Sequence, residues 1–307
     1  MLQSCSSQND GGIFFIKTMS ERLRVTIQGV AGCFHDAAAR EYFSDREIET
    51  VPFDTFHDMF EALEGDASLV GIVAIENTIA GSLLQNHEML RQSNLRIIGE
   101  QKKRISHVLA ALPGQTIDSL TEVNSHPMAL MQCEQYLLRH PNLKIIEHFD
   151  TAGSAKEIAD KKLMGHAAVC GDYAARLYGL EILERGIETN RRNFTRFLIV
   201  ANPLLASEIG PSESQVNKAS VVFSLPHTGG ALSKVLTILS FYDMNLSKIQ
   251  SMPIIGREWE YRFYVDLTFS SVVRYHQAID AVRPLTNELM TQGEYVEFIN
   301  NKEQINA

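Results

Sequence analysis

The sequence predicts an α/β protein that carries a separate ferredoxin-like domain in its C-terminal part. From Arg24 onward, short apolar runs alternate with stretches whose apolar residues recur every three or four positions, as strands and helices do in an α/β region. Beyond residue 217 the predicted order becomes strand, helix, strand, strand, helix, strand. The length of 307 residues is typical of two domains.

The strands of the first part are short, apolar and rich in β-branched residues. They are predicted at residues 25–27, 70–75, 105–112, 122–123, 144–146 and 167–169. The helices, identified by their apolar spacing, are predicted at residues 37–43, 55–63, 83–90, 129–138 and 152–163. Because strands and helices alternate, the sheet is expected to be mostly parallel.

Residues 202–217 contain two prolines, a glycine and three serines without a sustained period, which predicts a linker. The ferredoxin-like domain follows it. Its strands are predicted at residues 218–225, 246–255, 259–267 and 295–299, and its helices at residues 231–242 and 275–289.

Composition and charge exclude several classes of partner. The formal charge of −9 disfavours a nucleic-acid partner. The sequence also lacks a run of about 18 apolar residues, so we expect no membrane partner. The cysteines show no metal-ligand or CxxC spacing, so we expect no metal site and a reducing, cytoplasmic location. Residues 1–23 are expected to form a disordered leader.

Small or hydroxyl-bearing residues occupy the junctions between predicted strands and helices at 29–32, 76–82, 124–127 and 150–151. In an open α/β sheet such junctions meet at the carboxyl ends of the strands, where free helix N–H groups favour anions. Together they indicate a site for a small anionic ligand. Each junction taken alone is also explained by ordinary turns and N-caps.

The segment 191–200 places two polar residues at the start of an otherwise apolar strand. Arg196 could hold a carboxylate through two parallel hydrogen bonds, and Thr195 could donate a hydrogen bond or transfer a proton. A strand edge with solvated arginines is the alternative.

The order of these segments resembles that of the prephenate dehydratase family over residues 24–300. The resemblance rests on short motifs at matching intervals. They are the glycine-rich opening at 28–35, an ENS-like segment at 76–81, SHPMAL at 125–130, DTA at 150–152 and NFTRF at 193–197. The C-terminal part is similar to the ACT regulatory domain, with GAL at 230–232 and NLSKIQSMP at 245–253.

The resemblance implies a catalytic region at 24–201 that is folded like a periplasmic binding protein. Its first lobe would comprise about 24–98 plus 188–201, and its second lobe about 99–187. A linker at 202–217 and an ACT domain at 218–300 would follow.

The implied activity is the decarboxylating dehydration of prephenate to phenylpyruvate, a lyase reaction of phenylalanine biosynthesis that needs no cofactor. Thr195 would give a proton to the leaving hydroxyl, and Arg196 would hold a carboxylate. The implied substrate-binding residues are Gly32, Cys33, Asn77, Thr78, Ser125, Thr151 and Phe197.

The ACT resemblance implies L-phenylalanine as an effector and a homodimer or homotetramer. The implied effector-binding residues are Gly230, Ala231, Leu232, Asn245, Leu246 and Ser251. Gln250 and Met252 replace the glutamate and arginine of the family's ESRP motif, which leaves the identity of the effector open.

Two other functions remain open from the sequence. An arogenate dehydratase would use the same residues on an aminated substrate. A non-catalytic small-molecule sensor would use the same scaffold without turnover.

Overall fold

The computed structural model describes residues 22–299, so the predicted leader at 1–23 lies outside the described residues except for its last two positions. The described chain forms three sheets, one in each of two lobes and one in a C-terminal domain. The predicted fold class is confirmed. No helix of the described residues is both long and apolar enough to cross a membrane.

Lobe 1 is a mixed sheet with the order β2-β1-β3-β11-β5, and β4 pairs with β3. Its central strands, β3 and β11, are almost entirely buried, which explains their unbroken apolar runs. The strands are β1 (Leu23–Gln28), β2 (Ile48–Phe53), β3 (Val70–Asn77), β4 (Gly81–Ser82), β5 (Arg96–Arg104) and β11 (Phe194–Ala201). The helices are α1 (Phe34–Tyr42), α2 (Phe56–Gly65) and α3 (Leu84–Gln92).

Lobe 2 is a second mixed sheet with the order β10-β6-β9-β7-β8. Its strands are β6 (Val108–Ala111), β7 (Glu122–Ser125), β8 (Lys144–Glu147), β9 (His166–Cys170) and β10 (Glu181–Arg185). Its helices are α4 (Pro127–Gln132), α5 (Glu134–Leu137), α6 (Thr151–Lys161) and α7 (Asp172–Leu177). The expectation of mostly parallel sheets is wrong, because β11 is antiparallel to both of its neighbours and β6 is antiparallel to β9 and β10.

The chain crosses from lobe 1 to lobe 2 after Arg104 and returns between residues 186 and 193. The two crossing segments are joined at Glu188, which is buried and accepts hydrogen bonds from the Arg104 guanidinium at 3.1 Å and the His107 backbone N–H at 2.9 Å. The predicted lobe boundary at 98–99 is therefore too early, since β5 continues through Arg104 in the sheet of lobe 1.

The predicted linker at 202–217 contains a short helix, α8 (Pro203–Ile209), and a 3₁₀ turn at Glu213–Gln215. The Asn202 side chain accepts the Leu204 N–H at 3.0 Å, and Pro203 occupies the first helical turn, so the local sequence starts a helix. The helix packs Leu205 and Ile209 against the core of the lobes. This helix has only seven residues, which are too few to show a helical period of apolar residues in the sequence.

The C-terminal domain (218–295) has the predicted βαββαβ order, in an antiparallel sheet arranged β13-β14-β12-β15. Its elements are β12 (Lys218–Ser224), α9 (Ala231–Phe241), β13 (Asn245–Pro253), β14 (Tyr261–Thr268), α10 (Val272–Val282) and β15 (Asn287–Tyr295). The last strand therefore ends where it was predicted to begin. The sequence of this strand, NELMTQGEY, shows no alternation of apolar and polar residues. The strand is buried partly by lobe 1 and not only by the helices of its own domain, so the usual alternation is not required.

Strand β15 lies against β5 of lobe 1. A Cβ atom at Gly293 would lie 2.2 Å from the Ile97 carbonyl oxygen, so only glycine permits this approach. Two residues further on, Tyr295 is fully buried in an apolar cluster of lobe 1 that includes Met59 and Leu90. The C-terminal domain is thus packed against lobe 1 through its last strand.

Candidate active site between the lobes

Thr195 is the second residue of β11 and pairs with Asn77, the last residue of β3. The Asn77 amide nitrogen donates a hydrogen bond to Thr195 Oγ1 at 3.0 Å. The structure therefore brings together two of the predicted site residues, where the carboxyl end of β3 meets the strand that returns from lobe 2.

The orientation of the Asn77 amide is fixed by the backbone. Its Oδ1 accepts the N–H groups of Ile79 and Ala80, both at 2.9 Å, so its Nδ2 must face Thr195. Because Thr195 Oγ1 accepts from Asn77, its own proton is available for another acceptor, and none is present among residues 22–299. This arrangement makes Thr195 a hydrogen-bond donor for a ligand.

A chain of amides extends this arrangement into lobe 2. Asn77 Nδ2 donates to Asn193 Oδ1 at 2.8 Å, and Asn193 Nδ2 donates to Gln132 Oε1 at 3.0 Å. The same Gln132 oxygen lies 3.0 Å from His107 Nε2, which must therefore carry the ring proton. Burial lowers the pKa of His107, so its imidazole is neutral.

Sequence reasoning missed Gln132 and His107. They lie 61 and 25 residues from their respective hydrogen-bond partners, Asn193 and Gln132, so no local spacing marks them. Asn193 was visible only as part of the NFTRF motif.

Arg196 does not face this site. Side chains alternate along a strand, so Arg196 lies on the opposite face of β11 from Thr195. Its guanidinium is bound by the carboxylates of Glu100 and Asp266 and is nine-tenths buried. The predicted contact between Arg196 and a substrate carboxylate is therefore wrong for this structure, since its carboxylate partners belong to the protein.

The glycine-rich opening also departs from prediction. The Gly32 N–H donates to Asp36 Oδ2 at 2.8 Å, and the Cys33 N–H donates to the Val30 carbonyl at 3.1 Å. Burial raises the pKa of the Cys33 thiol to about 12, so it stays protonated. The predicted anion cradle at Gly32 and Cys33 is corrected, because both N–H groups are occupied within the loop.

This loop instead joins the lobes. A Cβ atom at Gly32 would lie 3.1 Å from Ala174 Cα of lobe 2, and the Tyr178 hydroxyl donates to the Ala31 carbonyl at 2.5 Å. Asp150 of lobe 2 reaches toward Gly29, where a Cβ atom would lie 2.9 Å from its Oδ2. Burial raises the pKa of the Asp150 carboxyl, which the sequence analysis placed at a junction but not among the site residues.

The other predicted hydroxyls are committed to backbone contacts. Thr78 Oγ1 donates to the Arg192 carbonyl at 3.1 Å, and buried Ser125 donates to the Val169 carbonyl at 2.6 Å. Neither hydroxyl has a proton left for a ligand, so the predicted donor roles of Thr78 and Ser125 are corrected. Thr151 is the first residue of α6, after the N-cap Asp150, and its contact with a ligand remains a prediction.

Phe197 is corrected as well. It is 1% exposed and packs edge-on against the ring of His35, with 5.0 Å between centroids. Burial lowers the pKa of His35 to about 4, so this ring is neutral. Phe197 therefore supports the sheet and is not available at the surface between the lobes.

The predicted effector residues are placed at two ends of one helix. Gly230 precedes α9 with a left-handed backbone, and Ala231 and Leu232 begin that helix, whereas Asn245 and Leu246 follow its far end. A helix of 11 residues spans about 16 Å. One copy of the chain therefore does not bring the two groups together. Ser251 lies exposed on the edge strand β13.

No group of three or more histidine, cysteine, aspartate or glutamate side chains that could hold a metal ion occurs within 22–299.

The sequence profile described as prephenate dehydratase matches residues 25–204, more than half of the chain. The chain belongs to the prephenate dehydratase family. A similar relative is the arogenate dehydratase/prephenate dehydratase 2 of Arabidopsis thaliana, which is chloroplastic and 37% identical over 260 residues, covering 81% of this chain and 66% of the relative. The chain thus spans just under two thirds of that relative's length.

Two solved structures share this fold, and one of them is described as a prephenate dehydratase. The prephenate dehydratase from Arthrobacter aurescens in complex with L-Phe has a TM-score of 0.77 and 26% identity, covering 89% of this chain and 90% of the other. A structure described as GqqA, a novel type of quorum quenching acylase, has a TM-score of 0.78 and 26% identity, covering 90% of this chain and 98% of the other.

Proposed function

We propose that this chain catalyses the decarboxylating dehydration of prephenate to phenylpyruvate. The C–O bond to the ring hydroxyl breaks, the bond to the ring carboxylate breaks with release of carbon dioxide, and the freed electron pair completes the aromatic ring. The hydroxyl leaves as water once it has received a proton. The observation that carries the proposal is the Thr195 hydroxyl, which Asn77 holds as a donor between the lobes.

The substrate is a dianion, and the protein carries a net charge of −9, so local cations must attract it. Arg191 and Arg192 are exposed on the returning segment, and their guanidinium groups have no ion-pair partner among the described residues. We assign the carboxylate contact to these two side chains in place of Arg196. In the Arg191→Gln/Arg192→Gln variant, KM should rise about 10-fold, whereas Arg283→Gln on the C-terminal domain should leave KM unchanged.

The deciding experiment is an assay of the purified protein with prephenate, in which phenylpyruvate is followed by its absorbance in alkali. Turnover above the spontaneous rate supports the proposal. Thr195→Ala should lower kcat by about 100-fold or more, and Thr237→Ala on the exposed face of α9 should not. A rate equal to the spontaneous one would reject the activity, and saturable prephenate binding without turnover would select the sensor.

Arogenate is the second candidate substrate, because several relatives are named arogenate dehydratases. Arogenate carries an amino group where prephenate carries a keto group, and the reacting ring is the same. The ratio of kcat/KM for the two substrates, measured side by side, decides which one the chain prefers.

The geometry does not favour an acylase mechanism that relies on a thiol or on Ser125. Burial raises the pKa of Cys33, Cys133 and Cys170 to about 12, so none of these thiols is an activated nucleophile. The Ser125 hydroxyl donates to a backbone carbonyl rather than to a base.

We also propose regulation by L-phenylalanine in a homodimer or homotetramer. Support comes from the separation of Gly230 and Asn245 on one chain, because a second copy could supply the missing half of the site. Within residues 22–299, strand β13 has no strand paired to its outer edge, Ile249 is 46% exposed, and such edges are open to pairing.

A cytoplasmic location remains our proposal. Cys33, Cys133 and Cys170 are free buried thiols, as is usual in reducing compartments. Fractionation of the source cells with marker proteins tests it, and recovery in an organelle or outside the cell would reject it.

A further inference from the structure

A cluster of buried charges lies where β11 faces the C-terminal domain. All three nitrogens of the Arg196 guanidinium are engaged there. Nε lies 2.6 Å from Glu100 Oε2, Nη1 contacts Asp266 Oδ2, and Nη2 donates to the Tyr295 hydroxyl at 2.9 Å. Glu100 belongs to lobe 1, whereas Asp266 on β14 and Tyr295 on β15 belong to the C-terminal domain.

The cluster is closed by further hydrogen bonds of fixed direction. Ser220 Oγ donates to Asp266 Oδ1 at 2.6 Å, so the Tyr295 hydroxyl must donate to Ser220, 2.8 Å away. Lys218 Nζ donates to Glu100 at 2.9 Å. The positive charges of Arg196 and Lys218 balance the negative charges of two carboxylates. These carboxylates belong to Glu100 and Asp266, and all four side chains are at most 10% exposed. Every charge is paired, which is what a buried charge requires.

Arg196 follows Thr195 directly on β11, and this strand has an irregular register against β3 between Arg196 and Phe197. Next to such an irregularity, the ladder with β3 constrains the backbone less than a regular pairing would. On its other side the segment pairs regularly with β5 from Phe194 to Ile199. The guanidinium contacts act together with that pairing to fix the segment from which Thr195 projects on the other face. Two of these contacts come from outside the catalytic region.

We propose that Asp266 and Tyr295 of the C-terminal domain are positioning residues for Thr195, acting through Arg196. The C-terminal domain is then a structural part of the active site whether or not an effector is bound. This inference rests on the proposed dehydratase function, and it adds residues that lie on the face of β11 opposite to the substrate.

The test uses the full-length protein with Asp266→Asn, which removes one charge, and Tyr295→Phe, which removes one hydroxyl. Each should lower kcat by about 10-fold or more and change KM by less than about 3-fold, because a displaced hydroxyl affects the chemical step more than binding. Two matched controls, Asp280→Asn and Tyr261→Phe, make the same substitutions at more exposed residues of the same domain. Both should leave kcat unchanged.

A double-mutant cycle separates positioning from general damage. In the Thr195→Ala background, Asp266→Asn should lower the residual rate by less than about 2-fold, since no hydroxyl remains to be positioned. An equal loss in both backgrounds, or an unchanged kcat in both single variants, would overturn the proposal.

Hydrogen exchange makes the test independent of activity. The amides of residues 194–196 should exchange faster in Asp266→Asn and Tyr295→Phe than in the two controls. Unchanged exchange rates there would overturn the inference even in an active enzyme. Absence of turnover in the unsubstituted protein, together with faster exchange in the variants, would reject the dehydratase function and retain the link between the domains.

Discussion

The Thr195 hydroxyl depends on the amide of Asn77 for its direction. Because two backbone N–H groups hold the Asn77 oxygen, the amide can only donate to Thr195. A threonine alone is a weak acid, so its effect rests on this orientation and on its place between the lobes.

The variant Asn77→Asp tests this orientation. A carboxylate would accept the Thr195 proton and withdraw it from the substrate, so kcat should fall by about 10²- to 10⁴-fold. Asn94→Asp on the exposed surface of lobe 1 introduces the same charge and should have little effect. Steady-state kinetics on prephenate measure both. If Asn77→Asp retained full activity, Thr195 would not be the donor.

His35 makes a separate prediction about pH. Burial lowers its pKa from 6.5 to about 4, so the unfolded chain binds a proton in this range that the folded chain does not. Stability should therefore fall as pH decreases from 6.5 toward 4, by about 2 kcal/mol between pH 7 and pH 5 for this residue. In urea unfolding, the His35→Leu variant should not show this pH-dependent loss of unfolding free energy. The His57→Leu variant, changed at an exposed histidine, should still show it. Identical pH profiles for both variants would contradict the assignment.

For single residues, the sequence assigned Asn77 and Thr195 to one site, but it did not predict the hydrogen bond between them or the direction of Arg196. Motif spacing cannot show which face of a strand meets another domain. The partners of Arg196 lie 96, 70 and 99 residues away in the chain, so nothing local marks the contact.

Among the elements, β5 and β15 show why an apolar pattern can miss a strand or misplace it. The second half of β5, from Glu100 to Arg104, is charged and resembles a solvated turn in sequence. In the structure, Glu100 neutralises buried cations at the C-terminal domain. Apolar patterns predict strands that are buried by apolar neighbours, whereas part of each of these two strands is buried against another domain.

The contact between these two strands predicts the effect of Gly293→Ala. The new methyl group would overlap the Ile97 carbonyl, so β15 must shift away from lobe 1. We expect a loss of about 1–3 kcal/mol in the free energy of unfolding. Gly65→Ala, at the end of α2 with open space around it, should be neutral or slightly stabilising. Chemical denaturation measures both, and equal stabilities would show that the domains are not packed as described.

For the whole molecule, the fold class and the βαββαβ order of the C-terminal domain were predictable because alternating periods are encoded locally, whereas β2, α7 and β10 of the lobes were not predicted. The arrangement of the domains was not predictable. It depends on single residues such as Gly293 and Tyr295, whose partners belong to a different sheet.

The proposed regulation is tested on the intact protein. L-phenylalanine at millimolar concentration should change activity by about 5- to 150-fold and should favour the oligomer. Gly230→Val, which disfavours the left-handed backbone at the start of α9, should abolish the response, whereas Gly179→Val in lobe 2, also left-handed and open, should not. Sedimentation and initial rates measure these effects. A monomer that ignores phenylalanine would contradict the regulation.

The burial of Tyr295 also affects the order of folding during synthesis. Its ring completes an apolar cluster to which α2, β3, α3, β5 and β11 of lobe 1 contribute, and all of these elements precede it in the chain. A ribosome-bound chain that stops before residue 287 would leave a vacancy the size of a tyrosine in lobe 1. The first lobe therefore cannot reach its final packing when its own residues emerge, and the active site matures only after the last strand has been made.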